Sequence, residues 1–156
     1  MKVAGIDCGT NSIRLLIADV EPGKPLVDVV RAMEVVRLGQ GVDTTGKFAE
    51  EALERTFAAT ERYAALCEEH GVQAIKFVAT SATRDAENRE LFIDGIRSRL
   101  GVTPEVVSGD REAQLSFFGA ASVIDISAPV AVVDLGEDPP RSSLARRQKA
   151  LSARGQ

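Results

Sequence analysis

Tryptophan is absent from this 156-residue sequence, histidine and tyrosine occur once each (His70 and Tyr63), and aromatic residues make up 4% of it. A single histidine leaves almost no material for a His-based catalytic triad or a histidine metal cluster. The two cysteines, Cys8 and Cys67, are too few and too far apart for a disulfide framework or a zinc knuckle. Apolar runs such as Val130–Val133 stop far short of the roughly 18 residues that a bilayer span requires, so no membrane partner is expected. The segment Met1–Asp7 sets an acid inside an apolar stretch and is followed by no small-residue cleavage site, which predicts a cytoplasmic protein with reduced thiols. Basic excess is lacking too. The net charge is -4, and because residues 137–156 hold five bases against two acids, residues 1–136 carry -7. Nucleic acid is not the expected partner of so acidic a body. Chemistry is left to carboxylates, hydroxyls, arginine and backbone amides.

What is present is the composition of one globular domain, 44% apolar and 27% charged. Lys2–Asp7 and Ser12–Asp19 are β-rich and separated by the turn-forming Cys8-Gly-Thr-Asn11, which predicts a hairpin. Leu26–Leu38 is Val-rich and predicts a third strand, followed by a Gly-rich loop over 39–46. Ala49, Leu53, Thr56, Phe57, Thr60, Ala64 and Cys67 recur at helical spacing, with Glu50 and Glu51 in the first turn and Gly71 past the end. Gln73–Ala79 then reads as a strand, and Asp85–Leu100 as one helix through Leu91, Ile96 and Leu100. Glu105–Val107 is a further short strand, and Glu112–Val123 a helix with Leu115 and Phe118 on one side. Val130–Leu135 closes the pattern as a buried strand. The order β-β-β-α-β-α-β-α-β predicts an α/β domain over residues 1–136 with a mixed sheet covered by helices. No internal repeat is present. Residues 137–156 lack aromatics and periodicity and read as a basic, solvated appendage that packs poorly.

Four segments could carry chemistry. In Asp7-Cys-Gly-Thr-Asn-Ser12, an acid near a strand end precedes a turn able to aim amides and the hydroxyls of Thr10 and Ser12 at phosphate oxygens. Asp7 would then face a magnesium ion or its waters, and Gly9 would let the backbone approach an anion closely. The same residues also suit an ordinary hairpin turn. Ala79-Thr-Ser-Ala-Thr-Arg-Asp85 lies between a strand and a helix, where hydroxyls and Arg84 suit an anion, or where Ser81 or Thr83 simply caps the helix. Ser108-Gly-Asp-Arg-Glu112 opens another helix. Glu112 there could act as a general base, or merely complement the helix dipole. Val132-Val-Asp-Leu-Gly136 repeats the Asp-x-Gly pattern at a second strand end. Cys8, Cys67 and His70 are read as packing or cap residues.

Taken together, Asp7–Ser12, Arg37-Leu-Gly-Gln-Gly-Val-Asp43, Thr80-Ser-Ala-Thr-Arg-Asp-Ala86 with Asn88, and Ser108-Gly-Asp-Arg-Glu-Ala113 resemble, in order, the motifs of the exopolyphosphatase / guanosine pentaphosphate phosphatase (Ppx/GppA) family. The resemblance implies a ribonuclease H-like domain of the actin-like ATPase and sugar-kinase superfamily. It also implies Mg2+-dependent hydrolysis of a terminal phosphoanhydride in inorganic polyphosphate or guanosine pentaphosphate, in a family whose members often dimerise. By position, Glu112 matches the base that activates water and Arg84 a phosphate-binding arginine. Gly9, Thr10, Asn11 and Ser12 match the first phosphate loop, Gly136 the second, and Asp7 and Asp134 the metal-facing carboxylates. These groups are expected along one sheet edge, where ligands of α/β sheets gather. The family's second loop continues Gly-Gly-Ser-Thr-Glu after Gly136, whereas here Glu137-Asp-Pro-Pro140 follows, removing amides and adding negative charge. Relatives also continue into a second domain, so the chain is expected to be a truncated or frame-shifted product with weakened activity.

Overall fold

A computed structural model describes residues 1–121. The chain divides into two compact units, Met1–Gly109 and Asp110–Gln156, and each is described by itself.

The first unit is built on five strands. β1 (Lys2–Cys8), β2 (Ser12–Asp19) and β3 (Val27–Val35) form an antiparallel meander, and β4 (Ala74–Ala79) and β5 (Glu105–Val106) extend it in parallel, in the order β3-β2-β1-β4-β5. The period of two decides which side is packed. Ala4, Ile6 and Cys8 of β1, Ile13, Leu15 and Ile17 of β2, and Phe77 and Ala79 of β4 are buried on one face. Gly5, Asp7, Arg14, Met33, Val35 and Lys76 are exposed on the other. A bulge between Ile17 and Ala18 lets both adjacent residues be buried.

Two helices cover the packed face. α2 (Glu50–Glu69) buries Ala52, Leu53, Thr56, Ala59, Thr60, Tyr63 and Cys67; of the predicted stripe Leu53, Thr56, Thr60 and Cys67 are buried, while Ala49, Phe57 and Ala64 are half-buried and Ala52, Ala59 and Tyr63 join the inner face. Buried threonines in a helix need acceptors, and they find them one turn back: Thr56 Oγ1 donates to the Ala52 carbonyl at 2.7 Å and Thr60 Oγ1 to that of Thr56 at 2.8 Å. The helix ends as predicted, with Gly71 at φ 64° just beyond it. α4 (Arg89–Leu100) buries Phe92 and Ile96, and the Phe92 ring lies 5.8 Å from Phe48 and 6.1 Å from Phe77.

Several expectations are corrected. The Gly-rich loop holds a short helical turn, α1 (Val42–Thr45), flanked by Gly41 at φ 79° and Gly46 at φ 70°, because Val42 is drawn into the core. The helix expected over 85–100 starts only at Arg89, as α4, and a separate short helix, α3 (Ser81–Asp85), precedes it. Between them Ala86 is extended, and neighbouring polar groups serve tertiary bonds instead: Glu87 N–H donates to the Gly46 carbonyl, while Asn88 Oδ1 accepts from Phe48 N–H and Asn88 Nδ2 donates to the Phe48 carbonyl. That break rotates the helix, so Leu91 is 61% exposed and Phe92 takes the inner place.

In the second unit, α5 (Gly109–Ala121) begins at the unit boundary, three residues earlier than expected. Its half-buried face is Glu112, Ala113, Ser116, Phe117 and Ala120, while Leu115 and Phe118 are exposed. Of the two adjacent phenylalanines Phe117 is the more covered, where the spacing pointed to Phe118. The strand expected over 130–135, with Asp134 and Gly136, and the boundary and tail beyond 136 lie outside the described residues.

Candidate functional site

Parallel strands release their chain at one level. Cys8 is in register with Ala79, and Ala79 with Val106, so the turns after β1, β4 and β5 leave from the same edge. Backbone bonds continue the alignment one step further: Thr80 N–H donates to the Cys8 carbonyl at 3.2 Å and Val107 N–H to the Ala79 carbonyl at 3.0 Å.

The turn after β1 is braced from both sides. Gly9 N–H closes it on the Ser12 carbonyl at 3.0 Å, so that amide is engaged rather than offered to an anion. The Asn11 carbonyl accepts from both Val36 N–H and Arg37 N–H, and the Thr10 carbonyl from Gly39 N–H at 2.8 Å. Thr10 Oγ1 and Ser81 Oγ share a hydrogen bond of 2.9 Å, tying the turn to α3. The N–H groups of Thr10 and Asn11 donate to no acceptor among the described residues. Unpaired amides beside hydroxyls are the kind of donor set from which an anion nest is built. A Cβ on Gly9 would meet only the Ser12 oxygen at 3.8 Å and Thr80 Oγ1 at 3.9 Å, whereas one on Gly39 would fall 2.3 Å from Thr10 Cγ2. The fold therefore demands glycine at 39 and leaves space at 9.

Arg84 closes α3, and its Nη1 donates to the Val107 carbonyl at 2.5 Å, joining the turn after β4 to the exit from β5. α3 has only five residues, too short to build a strong dipole, and its N-cap is Thr80 with no side-chain cap bond. The capping expected of Ser81 or Thr83 is absent. Ser81 instead binds Thr10, and Thr83 Oγ1 is buried with no hydrogen-bond partner among the described residues. Asp7 lies one residue before the end of β1, exposed, opposite Arg14 in register. Asp7 and Arg84 thus share the expected sheet edge; Glu112 sits in the first turn of α5, half-buried within the second unit.

Metal-binding clusters of three or more His, Cys, Asp or Glu are absent among the described residues. One hard carboxylate, Asp7, suits Mg2+, which keeps waters and phosphate oxygens as its other ligands and seldom needs an all-protein cage. Neither thiol is a nucleophile: burial, and after it the Asp7 charge, pushes Cys8 far above the usual thiol range, and burial raises Cys67. Both are free and buried, and His70 occupies the C-cap of α2, as expected of packing and cap residues. Grooves of about 510 Å³ (near Cys67 and Arg99) and about 360 Å³ (near Gly5 and Leu16) are lined by other parts of the fold.

Sequence reasoning assigned no role to Tyr63, whose hydroxyl donates to the Ile13 carbonyl at 3.0 Å from across the core, or to Asn88, which clamps Phe48. It also gave none to Arg14 or Arg37. Neither pair of partners has a spacing signal, since each joins residues at least 40 apart.

The strand order, the crossover connections and the two helices on one face define an α/β domain of ribonuclease H-like topology, with a turn of unpaired amides at the end of its first strand. The family model described as the Ppx/GppA phosphatase family matches residues 16–137, and the chain belongs to that family. It is 50% identical over 144 residues to Exopolyphosphatase 2 of Mycobacterium tuberculosis, which covers 86% of this chain and 45% of that protein. A crystal structure of an exopolyphosphatase-like protein superposes with a TM-score of 0.76 at 57% identity, over 80% of this chain and 38% of that one. The Aquifex aeolicus Ppx/GppA family member gives 0.72 at 34% identity, over 78% and 40%. The chain spans less than half the length of the relatives it matches. Among the described residues, no helix is long and apolar enough to cross a membrane.

Proposed function

We propose that this chain is the phosphate-gripping half of an exopolyphosphatase-type hydrolase acting on inorganic polyphosphate. The observation that carries the reading is the braced turn over 9–12, with the amides of Thr10 and Asn11 unpaired beside the hydroxyls of Thr10, Ser12 and Ser81. The names of the relatives favour polyphosphate over a nucleotide.

In this reading the turn and Arg84 hold oxygens of the terminal phosphoryl group, and their donors stabilise the charge that builds on it. Glu112, the residue in the family's base position, accepts a proton from water. The water oxygen bonds to the terminal phosphorus, the bridging P–O bond breaks, and orthophosphate departs from a chain one unit shorter. Mg2+, when bound, would neutralise phosphate charge beside Asp7 and, by family position, Asp134. Two free, buried cysteines fit a reducing cytoplasm.

A second reading, binding without turnover, is favoured by Glu137-Asp-Pro-Pro140 after Gly136, where two prolines carry no N–H and two acids add negative charge. Phosphate release from polyphosphate with and without Mg2+, beside Glu112→Gln, tests both. Mg2+-dependent release abolished by Glu112→Gln establishes hydrolysis. Binding without release leaves the second reading standing, and neither binding nor release overturns both.

A further inference from the structure

Cations on this acidic domain are almost all neutralised. Lys2, Lys24, Lys47 and Lys76 each pair with a carboxylate, as do Arg31, Arg62, Arg89, Arg97 and Arg99. Arg55 binds the Val36 carbonyl and Gln40, and Arg84 the Val107 carbonyl; Arg111 also has an interaction. Among the described residues only the side chains of Arg14 and Arg37 have neither an ion pair nor a hydrogen bond. Arg14 stands on β2 across from Asp7, whereas Arg37 stands next to the anion-binding turn on a loop of its own.

Arg37 is also the one non-glycine residue with a positive φ among the described residues, at 51°. A long side chain has no intrinsic preference for that region, where glycine or asparagine is easier. The surrounding bonds enforce it: Arg37 N–H donates to the Asn11 carbonyl at 2.8 Å, the Arg37 carbonyl accepts from Gln40 N–H at 3.0 Å, and Arg55 holds the flanking Val36 carbonyl and Gln40 side chain. A conformation that glycine would fill more comfortably is thus occupied by an exposed, unpaired cation fastened to the carbonyl of Asn11. Residues held in sparsely populated backbone regions cluster at binding and active sites.

We propose that Arg37 is a further anion-binding residue of the site, supplying charge to the polyphosphate chain gripped by the 9–12 turn. The proposal rests on the polyphosphate reading above. An arginine whose backbone is bonded to Asn11 and Gln40, with its side chain uncommitted, meets a phosphate without first breaking an ion pair, so its charge is available in full.

The test is equilibrium binding of short-chain polyphosphate to the full chain, with thermal melting alongside, for wild type, Arg37→Gly, Arg37→Lys and Arg62→Ala. Arg37→Gly is expected to weaken binding roughly tenfold at low salt, with the loss shrinking as salt rises, while its melting temperature holds or increases because glycine relieves the positive φ. Arg37→Lys should fall between, and Arg62→Ala, which removes a paired arginine on α2, should bind as wild type. Undiminished binding by Arg37→Gly overturns the proposal and leaves the polyphosphate reading intact. A loss of binding accompanied by a lowered melting temperature assigns Arg37 to structure and overturns it as well. Wild type that binds no polyphosphate overturns the reading beneath it and this proposal together.

Discussion

Under α2 and α4 the polar groups are spoken for, while at the carboxyl edge of the same sheet they are not. Thr56, Thr60 and Tyr63 each return a hydroxyl proton to a backbone carbonyl inside the core. At the edge, the amides of Thr10 and Asn11, the hydroxyl of Thr83 and the guanidinium of Arg37 find no partner among the described residues. Of these only the Thr83 hydroxyl is buried, where an unpaired polar group costs about 1–3 kcal/mol; the amides and the guanidinium are open to solvent and so available to a ligand. The edge is nonetheless rigid. Its carbonyls are bonded to neighbouring loops, so the open donors are displayed by a fixed backbone rather than by a slack loop.

The comparison is broken most severely from the core side. Phe92→Ala, removing a ring with no exposure that touches Phe48 and Phe77, should cost about 3–5 kcal/mol in denaturant unfolding. Ser12→Ala at the edge should leave the midpoint unchanged and lower polyphosphate affinity instead.

Glycine substitutions divide the edge itself. Gly39→Ala sets a methyl 2.3 Å from Thr10 Cγ2 and should cost about 1–3 kcal/mol while disturbing the Thr10 carbonyl bond, lowering stability and affinity together. Gly9→Ala meets nothing closer than 3.8 Å, so its melting temperature should stay near wild type, and any loss of affinity reports how closely a ligand approaches.

Tyr63→Phe should cost about 1 kcal/mol near neutral pH by deleting one buried hydrogen bond. Burial first, and then the Glu34 charge, push the Tyr63 phenol up to about 12 from an ordinary value of 10.0. Its contribution is therefore complete below pH 10 and is lost as pH rises toward 12, because the unfolded chain releases the proton first. Wild type should lose stability more steeply than Tyr63→Phe across that window.

The smallest effect belongs to the surface. Glu34 and Arg62 form a two-pronged pair between β3 and α2, and the Arg62 hydrogen bonds hold the Glu34 carboxyl below its usual range. Glu34→Gln should cost less than about 1 kcal/mol at neutral pH. The difference from wild type should vanish on acidification, since a depressed carboxylate stabilises only above its unfolded pKa and that contribution is lost as pH falls.

Periodicity alone determined the hairpin, the strands β3 and β4, the helix α2 with its glycine stop and the placing of β1's turn, because each depends on spacing within a few residues and on turn chemistry. The identities that match the Ppx/GppA motifs were equally legible, since a motif is a local string. Only the tertiary structure decided that the helix expected from Asp85 starts at Arg89, behind a separate α3, because Asn88 is committed to Phe48 forty residues away. It alone turned Phe92 inward in place of Leu91, since neighbouring apolar residues lie about 100° apart on a helix and either can face a core. The uncommitted donors followed the same rule: a donor is open only when every possible acceptor is elsewhere, which is a property of the whole fold and of no single segment.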